Sequence, residues 1–381
     1  MKIILILVIT SIITIGIVKE VSCWSLIDLF KAEDFKENNL SKTFHLDTTR
    51  DIILLPPLHN KTFFQAIADL SICRRREVRR FLLQYLTEQR GYIDRSFERS
   101  KEYLGIITSI FDKNQDIPKY LALLPILESG FNPYAVSRSQ AVGLWQFIRG
   151  TSHSLGLRTD RWVDERRSIE KSTIAAIRHL RNLYRIFHSW ELSLAAYNGG
   201  ASYIKKAMLR SGAKDFWELK AHGAMNRETA EFIPRFTAIT IIYENQWLFN
   251  IDNCDEKKPT MKTETIVLDF PVSIHHISKL ANVPSETIRR LNPELKRNHT
   301  PPYYRKYELR LPVGAKNKLE SDGNNIYKVR FKGIRKHIVR KGECISRIAR
   351  RYRAKTKKII ILNDIKSPRL IQPGLTLYIP I

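Results

Sequence analysis

Between Ile117 and about Trp247 apolar residues recur at three- and four-residue steps, and the strand signature of alternating Val, Ile and Tyr is nearly absent. That periodicity commits the middle of the chain to an all-helical domain. Pro118 suits a first helical turn, and Ser168 or a neighbour is placed to cap the helix that follows. Along that helix Ile174, Ile177, Leu180, Tyr184 and Phe187 mark one face. Upstream, between Phe63 and Phe111, Phe81, Leu82, Tyr85 and Leu86 predict a further amphipathic helix.

The pattern changes after Asn253. A polar stretch, Cys254 to Lys262, reads as a linker, and Thr265 to Leu268 as a strand. Helical spacing follows through Ile277, Leu280, Ala281 and Ile288 to Leu291-Asn292-Pro293, and the unit closes on Tyr307 to Pro312. A similar order recurs from His337 to a second Leu-Asn pair, Leu362-Asn363, and closes on Leu375 to Pro380. The two Leu-Asn pairs lie about 70 residues apart, as an imperfect repeat of strand, two helices and strand requires. Two copies suggest small binding modules rather than a solenoid. The divisions expected are a leader at 1–22, a lead-in at 23–62, a helical domain at 63–253, a degenerate module at 264–314 and a second module at 335–381.

Charge narrows the partner. The chain holds 64 Lys or Arg against 38 Asp or Glu, a net +26. From Ile326 to Ile381 there are 16 basic residues against Glu343 and Asp364 alone, so this last unit carries more than half of the excess. Such a balance favours an anionic partner, whether nucleic acid, anionic lipid or an acidic wall polymer, or else a solvated face.

Lys2 precedes an uncharged, proline-free apolar run from Ile3 to Val18, as in a secretory signal. The run is short of the roughly 20 residues that span a bilayer as a helix. Export to the periplasm or cell envelope is expected. Ser22-Cys23 fits acylation at Cys23 and membrane attachment there, but Glu20 stands where such sites take an apolar residue, and an ordinary cleaved signal or a short uncleaved anchor fits equally. Cys23, Cys73, Cys254 and Cys344 have no paired spacing, and no Cys/His cluster suggests zinc. No disulfide framework, metal or cofactor is expected.

Three clusters in the helical block bear on chemistry. In the first, Leu124 to Pro133, Glu128 ends an apolar run just before a Gly and Pro stop. A carboxyl at a helix end in apolar surroundings has its pKa raised, which suits a general acid. The second, Ala141 to Phe147, joins Gly143, where backbone can approach closely, to Trp145, Gln146 and Phe147, either a sugar platform or core. The third, Leu194 to Gly200, ends a helix on Tyr197-Asn198 at a double glycine, a natural left-handed stop.

In this order, Glu-Ser, then Gly-Leu-Trp-Gln, then Ala-Tyr-Asn closely resembles the family-1 lytic transglycosylases, glycoside hydrolase family 23. Asn132 to Ser139 and Trp162 to Arg167 fit the same pattern. The resemblance covers roughly Tyr92 to Glu244, and the two terminal repeats resemble LysM domains, which bind N-acetylglucosamine-containing glycans. It implies a mainly α, lysozyme-like catalytic domain followed by small α+β modules. It also implies a peptidoglycan substrate, cleaved between N-acetylmuramic acid and N-acetylglucosamine to leave 1,6-anhydro ends. Glu128 would be the single acid/base and Ser129 would hold it or the substrate. Gln146, Tyr197 and Asn198 would line the groove. Glu228 to Pro234 resembles a fourth motif that usually has tyrosine where Phe232 stands, so Phe232 joins the site residues as a departure.

Two rivals remain at this level. A goose-type lysozyme of the same fold would deliver water to C1 and needs a second carboxylate, with Glu165, Glu170, Glu191 and Glu231 as candidates. A non-catalytic wall-binding protein would use the repeats alone, supported only by Phe232. Nucleic acid is not expected, given the export signal and the lack of a recognisable nucleic-acid motif.

Overall fold

The computed structural model describes residues 76–249, 251, 262–303, 306–321, 326, 333–363, 365, 367 and 371–381. The leader at 1–22, Cys23, the lead-in at 23–62 and the linker cysteine Cys254 lie outside the described residues.

The helical part begins with α1 (Arg76–Leu86) and α2 (Arg90–Asp112), then a 3-10 turn (Lys119–Leu123) that runs into α3 (Leu124–Ser129). After α4 (Arg149–Ser154) come α5 (Ile169–Phe187), α6 (Trp190–Gly199), α7 (Ala201–Ser211), α8 (Phe216–Ala221) and α9 (Arg227–Glu244). The amphipathic reading of α1 holds, with Phe81, Leu82, Tyr85 and Leu86 all buried. Ser168 caps α5 by accepting from the Lys171 amide, a bond typically worth about 1 kcal/mol. The face expected of α5 is only partly correct. Ile177 and Leu180 are buried, but Ile174 and Tyr184 reach solvent, and the helix packs instead through Ala175, Ala176 and Leu183. Small residues allow the close approach there that the larger ones cannot.

α9 is the central rod. Phe232, Ile233, Phe236, Ile239, Ile241 and Ile242 are all buried along it, and it packs on α1, α3 and α6. Each such apolar side chain contributes roughly 1.5–3 kcal/mol relative to exposure. The helix α6 is thereby fixed between α5 and α9, which brings the third sequence cluster beside the first.

The repeat is a real structural unit. In the first module β1 (Thr263–Leu268) pairs antiparallel with β2 (Tyr307–Pro312), enclosing α10 (Ile274–Ala281) and α11 (Ser285–Leu291), and α12 (Ala315–Glu320) follows. In the second, β3 (Ile334–Ile338) pairs with β4 (Thr376–Pro380) around α13 (Ile345–Arg351) and α14 (Thr356–Leu362). The recurring Leu-Asn pair has one physical role in both. Asn292 donates to the carbonyls of Ile288 and Arg310 at 2.7 and 2.9 Å and accepts from the Arg310 amide at 2.9 Å. Asn363 does the same with Ile359, at 2.9 Å, and with both backbone groups of Tyr378 at 2.7 Å. One buried amide therefore ties the second helix of each module to its closing strand.

Candidate active site

The sequence clusters meet at the end of α3. Leu124, Pro125 and Ile126 are buried, and Gly130 closes the helix in the left-handed region with a φ of 58°. A Cβ at Gly130 would also lie 3.0 Å from Ser96 Oγ and 3.3 Å from the Tyr92 ring. Glycine therefore lets α3 stop here with Glu128 in its last turn. Tyr92 and Arg99 hold this end from α2, the first donating to the Ile126 carbonyl and the second to the Gly130 carbonyl at 3.1 Å.

The Glu128 side chain keeps some contact with the surface, but its carboxyl group is closely enclosed. Burial, and after it the negative charge of Glu228, push its pKa up to about 8. Among the described residues none donates a hydrogen bond to it. With no donor or cation to stabilise the anion, Glu128 is mostly protonated at neutral pH. The Glu128 carboxylate, once ionised, acts on two phenols. Burial, opposed by a hydrogen bond with Ser96 and aided by Glu128, raises Tyr92 to about 12, and burial with Glu128 lifts Tyr197 well above its ordinary value.

Gly143 sits at a φ of 86°, and a Cβ there would lie 2.0 Å from the Arg166 carbonyl oxygen. The loop it carries wraps the Glu128 end of α3. Ser129 Oγ donates to the carbonyls of Pro125 and Leu144 at 3.1 and 3.0 Å. Its proton is thus used within the fold, leaving its lone pairs as acceptors, and it makes no bond to Glu128. Gln146, at a φ of 48°, donates to the Gly143 carbonyl at 2.8 Å and leaves its amide oxygen open. Tyr197 OH donates to the Trp145 carbonyl at 2.7 Å. Asn198 donates to Glu228 at 3.2 Å and accepts from Thr229 Oγ1 at 2.8 Å.

Of the two readings of the second cluster the core one holds, with Trp145 fully buried, its indole donating to Thr173 Oγ1 at 3.0 Å, and Phe147 buried beside it. Other expectations need correction. The double glycine does not stop α6 in the left-handed region. Gly200 takes a φ of 94° and a ψ of 138°, and the chain turns at once into α7. Phe232 is packed in the main core at 5 % exposure. The four carboxylates weighed as a second base are engaged elsewhere. Glu165 pairs with Lys171 at 2.6 Å, Glu170 with Arg310, and Glu191 accepts from the Trp217 indole at 2.9 Å. Burial alone would raise Glu231, but hydrogen bonds from Arg235, Arg227 and Arg80 hold it near 2. The carboxylate that does act on Glu128 is Glu228, one turn before Phe232 and the first residue of the fourth motif, which the sequence did not single out as a second carboxylate.

Residues 106–220 match the Transglycosylase SLT domain family. The chain carries an SLT domain. After it, residues 262–328 match the family described as "Lytic transglycosylase MltD, LysM-like domain", and residues 337–380 match the LysM domain. The chain is homologous to the membrane-bound lytic murein transglycosylase D of Escherichia coli, in strain K12 and in strain O6:H1. It is 28% identical to each over 289 residues, covering 70% of this chain and 61% of the relative. The peptidoglycan transglycosylase gp16 of Escherichia phage T7 is 33% identical over 125 residues, 32% of this chain and 10% of that protein. The chain thus spans about three-fifths of the length of the E. coli proteins. Glu128, the Gly143 loop and the Tyr197-Asn198 end of α6 all fall within the SLT match.

Proposed function

We propose that this chain is a peptidoglycan lytic transglycosylase with Glu128 as its single acid/base. The observation that carries the reading is an enclosed carboxyl, neutral near pH 7, at the meeting point of the three clusters in an SLT domain. Glu128 protonates the glycosidic oxygen between N-acetylmuramic acid and N-acetylglucosamine as the bond from C1 breaks. The resulting carboxylate then takes the proton from the C6 hydroxyl of the muramoyl unit, whose oxygen bonds to C1. The proton passes in net from that hydroxyl to the leaving oxygen, and no water is consumed. The substrate's acetamido group supports the cationic intermediate, the exception to the two-carboxylate scheme. Gln146, Asn198 and the Ser129 lone pairs meet acetamido or hydroxyl groups, while Tyr197 fixes the groove wall. Holding the internal nucleophile in place supplies much of the acceleration.

On this reading residues 63–253 perform the chemistry, and the modules at 264–314 and 335–381 hold glycan. The chain works in the cell envelope, on peptidoglycan rather than nucleic acid, either released by cleavage of its leader or held at the membrane through its N-terminus. Among the described residues no helix is long and apolar enough to cross a membrane.

One observation favours the hydrolase rival. Glu228 is a second carboxylate within electrostatic reach of Glu128, and a hydrolase would use it to activate water. The products separate the two, because an anhydro end is one water lighter than a hydrolysed one. Digestion of purified sacculi followed by mass spectrometry should give anhydro muropeptides. Hydrated ends alone would instead establish hydrolysis.

A further inference from the structure

The first LysM-like module does not hang from the helical domain. The segment Asp160 to Asp164, which leads towards α5, is clamped along the module's edge. Val163 bridges Leu295, the Asp164 amide donates to the Glu294 carbonyl at 2.9 Å, and the Lys296 amide to the Trp162 carbonyl at 2.8 Å. Lys296 Nζ and Arg297 Nε reach the carbonyls of Asp160 and Arg161 at 2.6 and 3.2 Å, and Tyr303 OH donates to the Asp160 carboxylate. Trp162 and Val163, at 1 and 0 % exposure, are part of the module's own apolar core. A strand-like bridge with two large side chains inside a neighbour's core is a fixed interface, not a tether.

The grip continues inward. Asp164 and Arg166 form a buried pair, with Arg166 Nε and an Nη on the two carboxylate oxygens at 2.9 and 2.8 Å. The other Nη of Arg166 donates to the carbonyls of Gln140 and Phe147, both at 3.1 Å. Its own carbonyl lies against Gly143. The Gly143 loop then holds Ser129 through Leu144 and Tyr197 through Trp145. Every step is a hydrogen bond or a packed contact, and the planar guanidinium makes four of them at once, a geometry lysine cannot reproduce.

We propose that the first LysM-like module braces the catalytic centre, its 294–297 edge holding Asp160 to Asp164 and the Asp164–Arg166 pair transmitting that hold to the loop behind Ser129, Tyr197 and Glu128. Arg166 and Trp162 are positioning residues. Both are buried within the fold. The module's contribution is then to turnover, whereas a wall-binding module would act on affinity. The kinetic part of this inference rests on the proposed function, and the structural part does not.

The test uses the full chain with Trp162→Ala and Arg166→Lys. Amide hydrogen exchange reads the brace without any need for activity. Trp162→Ala should speed exchange at Val142, Gly143 and Gln146, whose amides bond within the loop, while the Ala238 to Ile242 amides of α9 keep wild-type rates. Loop amides that stay slow, or that speed up only in step with α9, would overturn the brace. On sacculi each variant should lose about 10- to 100-fold in kcat, as expected for displacements on the order of 1 Å, with KM within about twofold. The double variant should be no worse than the worse single one, because both cut one chain of contacts. Independent, multiplying losses, or a loss in KM alone, would also overturn it. Arg166→Lys keeps the buried charge and remains informative if Trp162→Ala fails to fold. A wild-type chain that releases no anhydro product would refute the proposed function and leave the exchange result standing.

Discussion

Glu228 offers the sharpest handle on the electrostatics of the site. Its charge is the smaller of the two causes that lift Glu128 from 4.5 to about 8, burial being the larger. It therefore supplies the smaller share of the rise, and each pH unit is worth roughly 1.4 kcal/mol. Glu228→Gln removes the charge but keeps shape and an acceptor oxygen for Asn198. If Glu128 must enter the reaction protonated, kcat/KM falls as pH rises through its pKa, because that profile reports the free enzyme. The variant should move this alkaline limb to lower pH while burial still holds it above the ordinary carboxylate range. The assay is initial muropeptide release from sacculi between pH 5 and 9 at constant ionic strength. An unmoved limb would refute electrostatic coupling of the two carboxylates. Loss of turnover at every pH, with anhydro ends replaced by hydrated ones in the wild type, would make Glu228 a base and refute the single-carboxylate scheme.

Glu128→Gln should stabilise the chain at alkaline pH. The native state holds the Glu128 proton between pH 4.5 and about 8 while the unfolded chain releases it, so wild-type stability falls across that window. The variant's advantage in denaturant melts should be larger at pH 9 than at pH 4, by up to about 5 kcal/mol, and equal differences at both would contradict the enclosed carboxyl. Phe232→Tyr adds a hydroxyl one turn beyond Glu228, on the same helix face. If it reaches Glu128 it should shift the pH profile to lower values with the melting temperature kept. An unmoved profile in a chain destabilised by roughly 1–3 kcal/mol would show a buried, unpartnered oxygen instead. The second module exposes Arg353, Lys355 and Lys357. Changing all three to Gln should weaken retention on sacculi at about 0.05 M salt and matter little near 1 M, where the screening length is about 3 Å.

The helical block and the two modules were legible because their apolar periodicity and their repeated Leu-Asn pair are local signals. Glu128 stood out for the same reason, at the end of an apolar run before a glycine. What stayed hidden depends on distant pairing. Trp145 fits a sugar platform as well as core until Thr173 Oγ1 is seen to accept from its buried indole N–H. Glu231 looks as available as Glu228 until three arginines converge on it. The face of α5 was misassigned because Ala175 and Ala176 carry little hydrophobic weight, though smallness is what packs them. Trp162 gave no hint that it belongs to the core of a module that begins about 100 residues later.

The central claim is that Glu128 alone transfers the proton and that an internal hydroxyl, not water, attacks C1. Sacculi digested with the wild-type chain and with Glu128→Gln, analysed by mass spectrometry, test it most directly. The wild type should release muropeptides with anhydro ends, one water lighter than hydrolysed ones, and Glu128→Gln should release at least about 10²-fold less. Near-wild-type release by Glu128→Gln, or hydrated ends from the wild type, would contradict it.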